Sequence, residues 1–126
     1  MQEFEIPVVK KVYEFYKDFH QLRTKVSKAD RYTIFQKCDC LMLELLEELL
    51  NASRLYKSQK LSALEIAAGK LSFIRIIFRL LKDVGSIEIK TYASFEERID
   101  EIGRMIGGWV RFLRRDFGGS QHDNAP

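Results

Sequence analysis

Three cations lie in register on a stretch of this 126-residue chain that is otherwise strongly apolar. On a helical wheel Arg75, Arg79 and Lys82 fall within about 60° of one another. Such a narrow basic strip could bind phosphate oxygens, with an affinity that falls as salt rises, or an acidic surface on a protein. The alternative is that the three charges only keep an apolar helix soluble.

A second group of cations lies near the C-terminal end of the last helical pattern. It consists of Arg104, Arg111, Arg114 and Arg115, opposed in that part of the chain by Asp116 alone. Cations near a helix C-terminus are also favourable with the helix dipole, so a purely structural role stays open for the last three arginines. Together with the first strip, these residues are our candidates for binding nucleic acid or a polymerase.

No pattern in the chain predicts catalysis. The neighbouring carboxylates of Glu44, Glu47 and Glu48 have no Glu-x-x-His partner, and His20 and His122 are the only histidines. We find no nucleophile with a base, no phosphate-binding loop and no paired-carboxylate arrangement. We therefore expect a non-enzymatic protein without a metal or cofactor. A helical-bundle metalloenzyme is a third possibility, which detection of bound metal would reveal.

The two cysteines and the N-terminal residues indicate a cytoplasmic protein. Cys38 and Cys40 diverge by about 200° on a helix, which does not suit a disulfide. Two free thiols fit a reducing compartment. Residues 1–11 contain no apolar h-region of a signal peptide, and no apolar run is long enough to span a membrane.

Long helices must position these charges, because the only prolines are Pro7 and Pro126. Apolar periodicity predicts four helices, over residues 7–26, 28–56, 60–83 and 87–117. Ser27 with Asp30 resembles a capping box for the second helix, and Gly85 a C-terminal stop for the third. We expect an up-down-up-down antiparallel four-helix bundle over residues 1–117, followed by a disordered tail at 118–126.

Each predicted helix carries an apolar seam. The seam of the fourth helix alternates by three and four without a fault, through Tyr92, Phe95, Ile99, Ile102, Ile106, Trp109 and Leu113. Phe35, Cys38, Met42, Leu45 and Leu49 form the seam of the second helix, and Val12, Phe15, Phe19, Leu22 and Val26 that of the first. These residues are the predicted core, and Trp109 is expected there rather than as a platform for stacking bases.

The third helix is apolar over about 220°, whereas a helix on the outside of a monomer needs a stripe only somewhat wider than about 100°. A second subunit is the simplest cover for the surplus. We therefore predict a homo-oligomer with Phe73, Ile76 and Leu80 at the subunit interface.

Three glycines interrupt the fourth helix, at Gly103, Gly107 and Gly108. Inside a helix they cost on the order of 3 kcal/mol relative to alanine. Close packing of another helix or a large side chain would offset this cost. The contact could lie within one subunit or between subunits.

This glycine-rich segment, EIGRMIGGW at residues 101–109, carries a resemblance to a known family, together with AAGKL at 67–71 and the Arg75/Arg79 pair. The chain resembles the accessory variability determinant (Avd) family of diversity-generating retroelements over about residues 8–115. The same four-helix-bundle superfamily includes proteins encoded in intervening sequences of bacterial ribosomal RNA genes. The glycine-tryptophan segment does not separate these two groups.

The resemblance implies a homopentameric, barrel-like assembly with a basic surface that binds the retroelement's reverse transcriptase and nucleic acid. Avd proteins support the mutagenic copying of a template RNA into cDNA. By position, Arg75 and Arg79 match the family's basic positions on the third helix, and Arg104 matches the arginine of its glycine-rich segment. Arg111, Arg114 and Arg115 match only loosely, and the family varies at Lys82.

The expected function is therefore that of a non-enzymatic accessory protein of a retroelement reverse transcriptase. The alternative is a structural or interaction protein of the ribosomal intervening-sequence type, without a reverse transcriptase partner. A neighbouring reverse-transcriptase gene would favour the first, and an open reading frame inside a ribosomal RNA gene the second.

Overall fold

Helices make up almost all of the computed structural model, which describes residues 6–116. They are α1 (Pro7–Gln21), a 3₁₀ turn (Leu22–Lys25), the one-turn α2 (Lys28–Arg31), α3 (Ile34–Ala52), α4 (Lys57–Asp83) and α5 (Ile89–Asp116). Within these residues there is no β-strand, and no helix is both long and apolar enough to cross a membrane. The predicted tail at 118–126 lies outside the described residues.

The first helix begins where the sequence predicts, with Pro7 in its first turn. It ends earlier than predicted, because the chain tightens into the 3₁₀ turn after Gln21. Val26 then has an extended backbone, with φ −86° and ψ 144°. Its side chain is nevertheless buried, so the predicted core residue is correct although the helix bound is not.

The prediction of one helix over residues 28–56 is wrong, because the chain breaks at Tyr32 and Thr33. Ser27 caps α2 as predicted: its hydroxyl oxygen accepts from the backbone N–H of Asp30 at 3.3 Å. Thr33 has φ −122° and ψ −96°, and its hydroxyl donates to the carbonyl of Ala29 at 2.9 Å. A threonine side chain that occupies a backbone carbonyl in this way competes with helical hydrogen bonding.

The turn between α4 and α5 contains the predicted stop glycine. Gly85 has φ +81°, a left-handed conformation that glycine adopts without steric cost. The N–H of Ser86 donates back to the carbonyl of Leu81 at 2.8 Å, which closes the end of α4. The Ser86 hydroxyl also donates to the Asp30 carboxylate, which joins this turn to α2. Residue 87 therefore belongs to the turn, and α5 begins two residues later than predicted.

Four long helices form the predicted antiparallel bundle. Helix α4 packs against α3 on one side and α5 on the other, and α1 closes the bundle against both α3 and α5. Lys70 of α4 pairs with Glu44 of α3 at 3.0 Å, and Arg75 with Asp100 of α5 at 2.5 Å. A second contact in each case gives the direction. Glu65, earlier on α4 than Arg75, pairs with Arg114, later on α5 than Asp100, at 2.6 Å. Lys37, earlier on α3 than Glu44, has its ammonium 6.0 Å from the ring centre of Phe73, later on α4 than Lys70, so both neighbouring helix pairs are antiparallel.

The predicted seams meet in the core of the bundle. All the seam residues of α3 are buried, and so are those of α5 from Phe95 to Leu113, including Trp109. One half of the core is a cluster of phenylalanines contributed by all four long helices: Phe15, Phe19, Phe35, Phe78 and Phe95. The rings of Phe19 and Phe35 stack with centroids 4.3 Å apart, and those of Phe78 and Phe95 with centroids 5.1 Å apart. Such pairs contribute about 0.5–1.5 kcal/mol each beyond the area that they bury.

Candidate functional site

Arg75, the first cation of the predicted strip on α4, joins α4 to α5. Its guanidinium lies 2.5 Å from a carboxylate oxygen of Asp100 and 3.4 Å from one of Glu96. The hydrogen bond that Arg75 donates to the Asp100 carboxylate, assisted by the charges of Asp100 and Glu96, raises the pKa of Arg75 above its ordinary value. With two carboxylates around it, this guanidinium offers little net positive charge to a phosphate.

The other two cations of the strip differ from Arg75 and from each other. The ammonium of Lys82 lies 4.7 Å from the centre of the Tyr92 ring and 3.4 Å from the Asp83 carboxylate. Arg79 is exposed and has no ion-pair partner within residues 6–116. Counting contacts among residues 6–116, the strip that is continuous on a helical wheel thus contains one uncommitted cation, Arg79.

The arginines of α5 are more available. Arg104, Arg111 and Arg115 are exposed and have no ion-pair partner in the part of the chain that the structure describes. Arg114 instead pairs with Glu65 of α4 at 2.6 Å. An exposed pair of this kind contributes little to stability, so a stronger anion could compete for Arg114.

Antiparallel packing separates the two predicted basic groups. The basic strip on α4, which begins with Arg75, lies beside the first half of α5, where Glu96 and Asp100 are. The basic second half of α5 lies beside the start of α4, where Glu65 pairs with Arg114. The structure therefore places the largest uncommitted positive charge on the second half of α5 and leaves Arg79 apart from it.

The three glycines of α5 do not contact a neighbouring backbone among the described residues. A Cβ at Gly103 would lie 3.5 Å from the Leu71 side chain, and one at Gly107 would lie 3.4 Å from the Arg111 guanidinium. At Gly108 the nearest atom is again on Arg111, at 3.8 Å. Close packing against a helix of the same subunit is thus absent at Gly107 and Gly108, and the predicted contact between subunits stays a prediction.

Two of the grooves that border α5 lie beside these glycines. One, of about 350 Å³, lies between α4 and α5 where small residues such as Ser72, Gly103 and Gly107 face each other. The other, of about 470 Å³, lies between the start of α1 and the end of α5. Its walls are mostly apolar: Pro7, Val8, Met105, Gly108, Trp109, Phe112 and Arg115.

The broad apolar surface of α4 is divided between the core and solvent. Leu71, Ile74, Ile77, Phe78 and Leu81 are buried in the protomer. By contrast Phe73 is 46% exposed, Ile76 57% and Leu80 41%. Ile66 and Val84, also exposed, extend the same strip along α4. The residues predicted at a subunit interface are thus uncovered in one protomer.

The cysteines and the potential metal ligands of the described residues do not form a cluster. No three His, Cys, Asp or Glu side chains within residues 6–116 are grouped so that they could hold a metal ion. Both cysteines are free, as predicted; Cys38 is buried, and burial raises the pKa of its thiol, whereas Cys40 is exposed.

Sequence reasoning missed two features of the charged residues. Lys60 is almost fully buried, with its ammonium 5.9 Å from the Trp109 ring centre. Arg31 donates to backbone carbonyls in the connection before α3. Nothing in the helical periodicity indicates either contact, because both join separate elements.

The fold and this surface define a small four-helix-bundle protein with an arginine-rich helix face and an uncovered apolar strip. The model of the bAvd-like family matches residues 7–113, which include almost the whole bundle, and the chain belongs to this family. The match confirms the resemblance found in the sequence. The family is in general one of accessory, non-catalytic proteins. No match to a curated protein was found.

Proposed function

We propose that this protein is the accessory factor of a diversity-generating retroelement. In this role it binds the element's reverse transcriptase and nucleic acid, and supports mutagenic synthesis of cDNA from a template RNA in the cytoplasm. The observation that carries the proposal is membership of the bAvd-like family over residues 7–113. The protein itself supplies a binding surface and no catalytic step.

The second half of α5 is the surface best suited to these partners. Arg104, Arg111 and Arg115 project from one helix, are exposed, and have no carboxylate partner within residues 6–116. Guanidinium groups bind phosphates and carboxylates through paired hydrogen bonds, which suits either RNA or an acidic surface of a polymerase. Contacts to phosphate would give salt-dependent binding with little sequence preference.

Assembly is the second part of the proposal. The exposed strip of Phe73, Ile76 and Leu80 would be covered by neighbouring subunits, in the homopentamer that the family resemblance implies. A ring of subunits would repeat the α5 arginines around one axis. Repetition of a weak phosphate-binding surface raises the overall affinity without any new contact.

Charge reversal on α5 tests the binding surface. Arg104→Glu combined with Arg111→Glu should weaken binding of a short structured RNA by at least about tenfold at about 0.1 M salt, because two phosphate contacts become repulsive. Fluorescence anisotropy of labelled RNA measures this, and a pull-down of the neighbouring reverse transcriptase tests the protein partner.

The matched control is Lys28→Glu with Lys90→Glu, which changes the net charge equally at two exposed sites, one on α2 and one at the start of α5. Equal losses in both variants would show that only bulk charge matters and would contradict the assignment to α5. An oligomer that binds RNA but never retains the reverse transcriptase would contradict the retroelement role and favour the ribosomal intervening-sequence type.

A further inference from the structure

The outer face of α5 carries charges in an order that is complementary to itself. Six residues spaced by four and three form this α5 stripe: Glu97, Glu101, Arg104, Gly108, Arg111 and Arg115. They lie within about 80° on the helix and extend over about 27 Å. The acidic members precede the basic ones, and Gly108 leaves a gap between two arginines.

We propose that the α5 stripe pairs with the same stripe of a second copy of this chain, with the two helices antiparallel. The two-fold axis crosses the stripe at the level of residue 106, midway between positions 104 and 108. Position 97 of one copy then faces position 115 of the other, and 101 faces 111. Both are Glu–Arg pairs, and each occurs twice in a two-fold contact. In the same register Arg104 faces Gly108, so no like charges oppose each other.

Contacts among the described residues leave every charged position of this stripe except Glu101 without an ion pair. Charges on its flanks are already used: Asp100 by Arg75 at 2.5 Å, and Arg114 by Glu65 at 2.6 Å. Within the stripe, Glu97 and the three arginines are without an ion-pair partner in residues 6–116. Glu101 has an exposed pair with Lys11 at 3.1 Å, and such a pair contributes little.

The surface beside Gly108 fits the opposing arginine. Gly108 lies at the edge of the apolar groove of about 470 Å³ that also includes Trp109 and Phe112. Only the Arg111 guanidinium lies within 4 Å of where a Cβ of Gly108 would be, so the second copy's helix can approach closely there once Arg111 turns to its glutamate partner. The long aliphatic stem of its arginine at position 104 could then cover part of the groove, while the guanidinium stays at the rim.

A second copy explains this stripe better than nucleic acid does. Phosphates would be attracted by Arg104, Arg111 and Arg115 but repelled by Glu97 and Glu101 on the same face. A second copy of the chain offers carboxylates to the arginines and arginines to the carboxylates. Because Arg111 and Arg115 also belong to the proposed partner-binding surface, self-pairing and phosphate binding would exclude each other, and the paired form would hold that surface closed.

Two complementary variants of the full chain test the pairing without any nucleic acid. The acidic variant carries Arg111→Glu with Arg115→Glu, and the basic variant carries Glu97→Arg with Glu101→Arg. In each variant both opposed pairs of the two-fold contact (97 with 115, and 101 with 111) then have like charges, so each variant repels its own kind. The two variants together restore all four ion pairs. Fluorescence energy transfer between differently labelled chains measures association, and thermal unfolding confirms that both variants fold.

We expect the mixture of acidic and basic variants to associate at least about tenfold more strongly than either variant with itself, because like charges that face each other across a contact repel. The gain should disappear between about 0.05 M and about 0.5 M salt as screening increases. Association through the exposed apolar residues Phe73, Ile76 and Leu80 of α4 would be equal in mixed and unmixed samples. The difference between the samples therefore reports the α5 contact alone. A mixture no stronger than the unmixed variants, or variants that self-associate like the unaltered chain, would overturn the proposal.

This experiment also separates the pairing from the proposed function. The basic variant keeps all the arginines of α5, so it should lose self-pairing while it still binds RNA. The acidic variant should lose both. If neither the unaltered chain nor the basic variant bound RNA while the mixed variants still associated, the proposed function would be contradicted and the pairing would stand.

Discussion

At the scale of single residues, the environment decides what a charged or polar side chain can do. Arg75 and Arg79 are one helical turn apart on α4, yet only Arg75 meets the carboxylates of Asp100 and Glu96. Tyr16 shows the same dependence. Partial burial, together with its contact with Asp39, raises the pKa of Tyr16 from 10.0 to about 12.

The raised pKa of Tyr16 makes a prediction about stability at high pH. Because the folded value of about 12 is above the ordinary value of 10.0, the neutral phenol stabilises the fold fully below about pH 10. This contribution should be lost as pH rises from about 10 to about 12. Tyr16→Phe should therefore make the free energy of unfolding fall less steeply over that range.

Urea unfolding at a series of pH values measures this slope. Tyr56→Phe, at a side chain that is 77% exposed, is the matched control and should leave the slope unchanged. An identical slope in the Tyr16→Phe variant and the unaltered protein would contradict the prediction.

At the scale of elements, the connection between α1 and α3 is the main departure from regular helical structure. Residues 22–33 form a 3₁₀ turn, an extended residue and the short α2, which redirect the chain between two antiparallel helices. Arg31 holds this connection together. Its Nε donates to the carbonyl of Arg23 at 3.0 Å, and its guanidinium donates to the carbonyl of Val26 at 3.0 Å.

Removing the Arg31 side chain should destabilise the bundle. Arg31→Ala leaves two partly buried carbonyls without a protein donor, so the free energy of unfolding should fall by about 1–2 kcal/mol. Urea unfolding measures the difference. Arg54→Ala, at an exposed arginine in the connection between α3 and α4, is the control and should change the value by less than about 0.5 kcal/mol. Equal effects of the two substitutions would show that the hydrogen bonds of Arg31 contribute nothing specific.

At the scale of the whole molecule, the protomer leaves too much apolar surface on α4 for an isolated bundle. Phe73, Ile76 and Leu80 lie along one exposed strip rather than singly. Contiguous exposed apolar residues of this kind are typical of an interaction site, whereas single exposed apolar residues are common on any protein surface. The α5 stripe shares no residue with this apolar strip of α4, so the two proposed contacts can be altered independently.

Introducing charges into the apolar strip of α4 should dissociate the oligomer and leave the protomer folded. Ile76→Lys with Leu80→Lys would place two ammonium groups in the predicted interface, where an unpaired buried charge is strongly unfavourable. Light scattering after size exclusion should then give the mass of a protomer, with the helical content unchanged by circular dichroism.

Leu43→Lys with Ile89→Lys introduces the same charges at two other exposed apolar residues, which are 45% and 76% exposed, and should leave the assembly intact. If the α4 variant kept the mass of the unaltered protein, the subunit interface would have to lie elsewhere.

The fold could be predicted in most respects from local patterns. Periodicity located all four long helices and their buried seams, because a helix repeats every 3.6 residues and one face must be buried. The break at Tyr32 and Thr33 could not be predicted in this way. It involves side-chain hydrogen bonds, such as that of Thr33 to the carbonyl of Ala29, which compete with the hydrogen bonds of a continuous helix and leave no mark in the apolar periodicity.

The amino-acid sequence alone determined the helical class, the core, the excess apolar surface of α4 and the family of this protein. Tertiary structure alone decided which of the predicted binding residues are free. A helical wheel places Arg75, Arg79 and Lys82 together, but it contains no information about the neighbouring helix. Antiparallel packing sets the acidic half of α5 beside Arg75 and leaves the basic half of α5 exposed, because electrostatic pairing depends on distances between helices and not on positions along one of them.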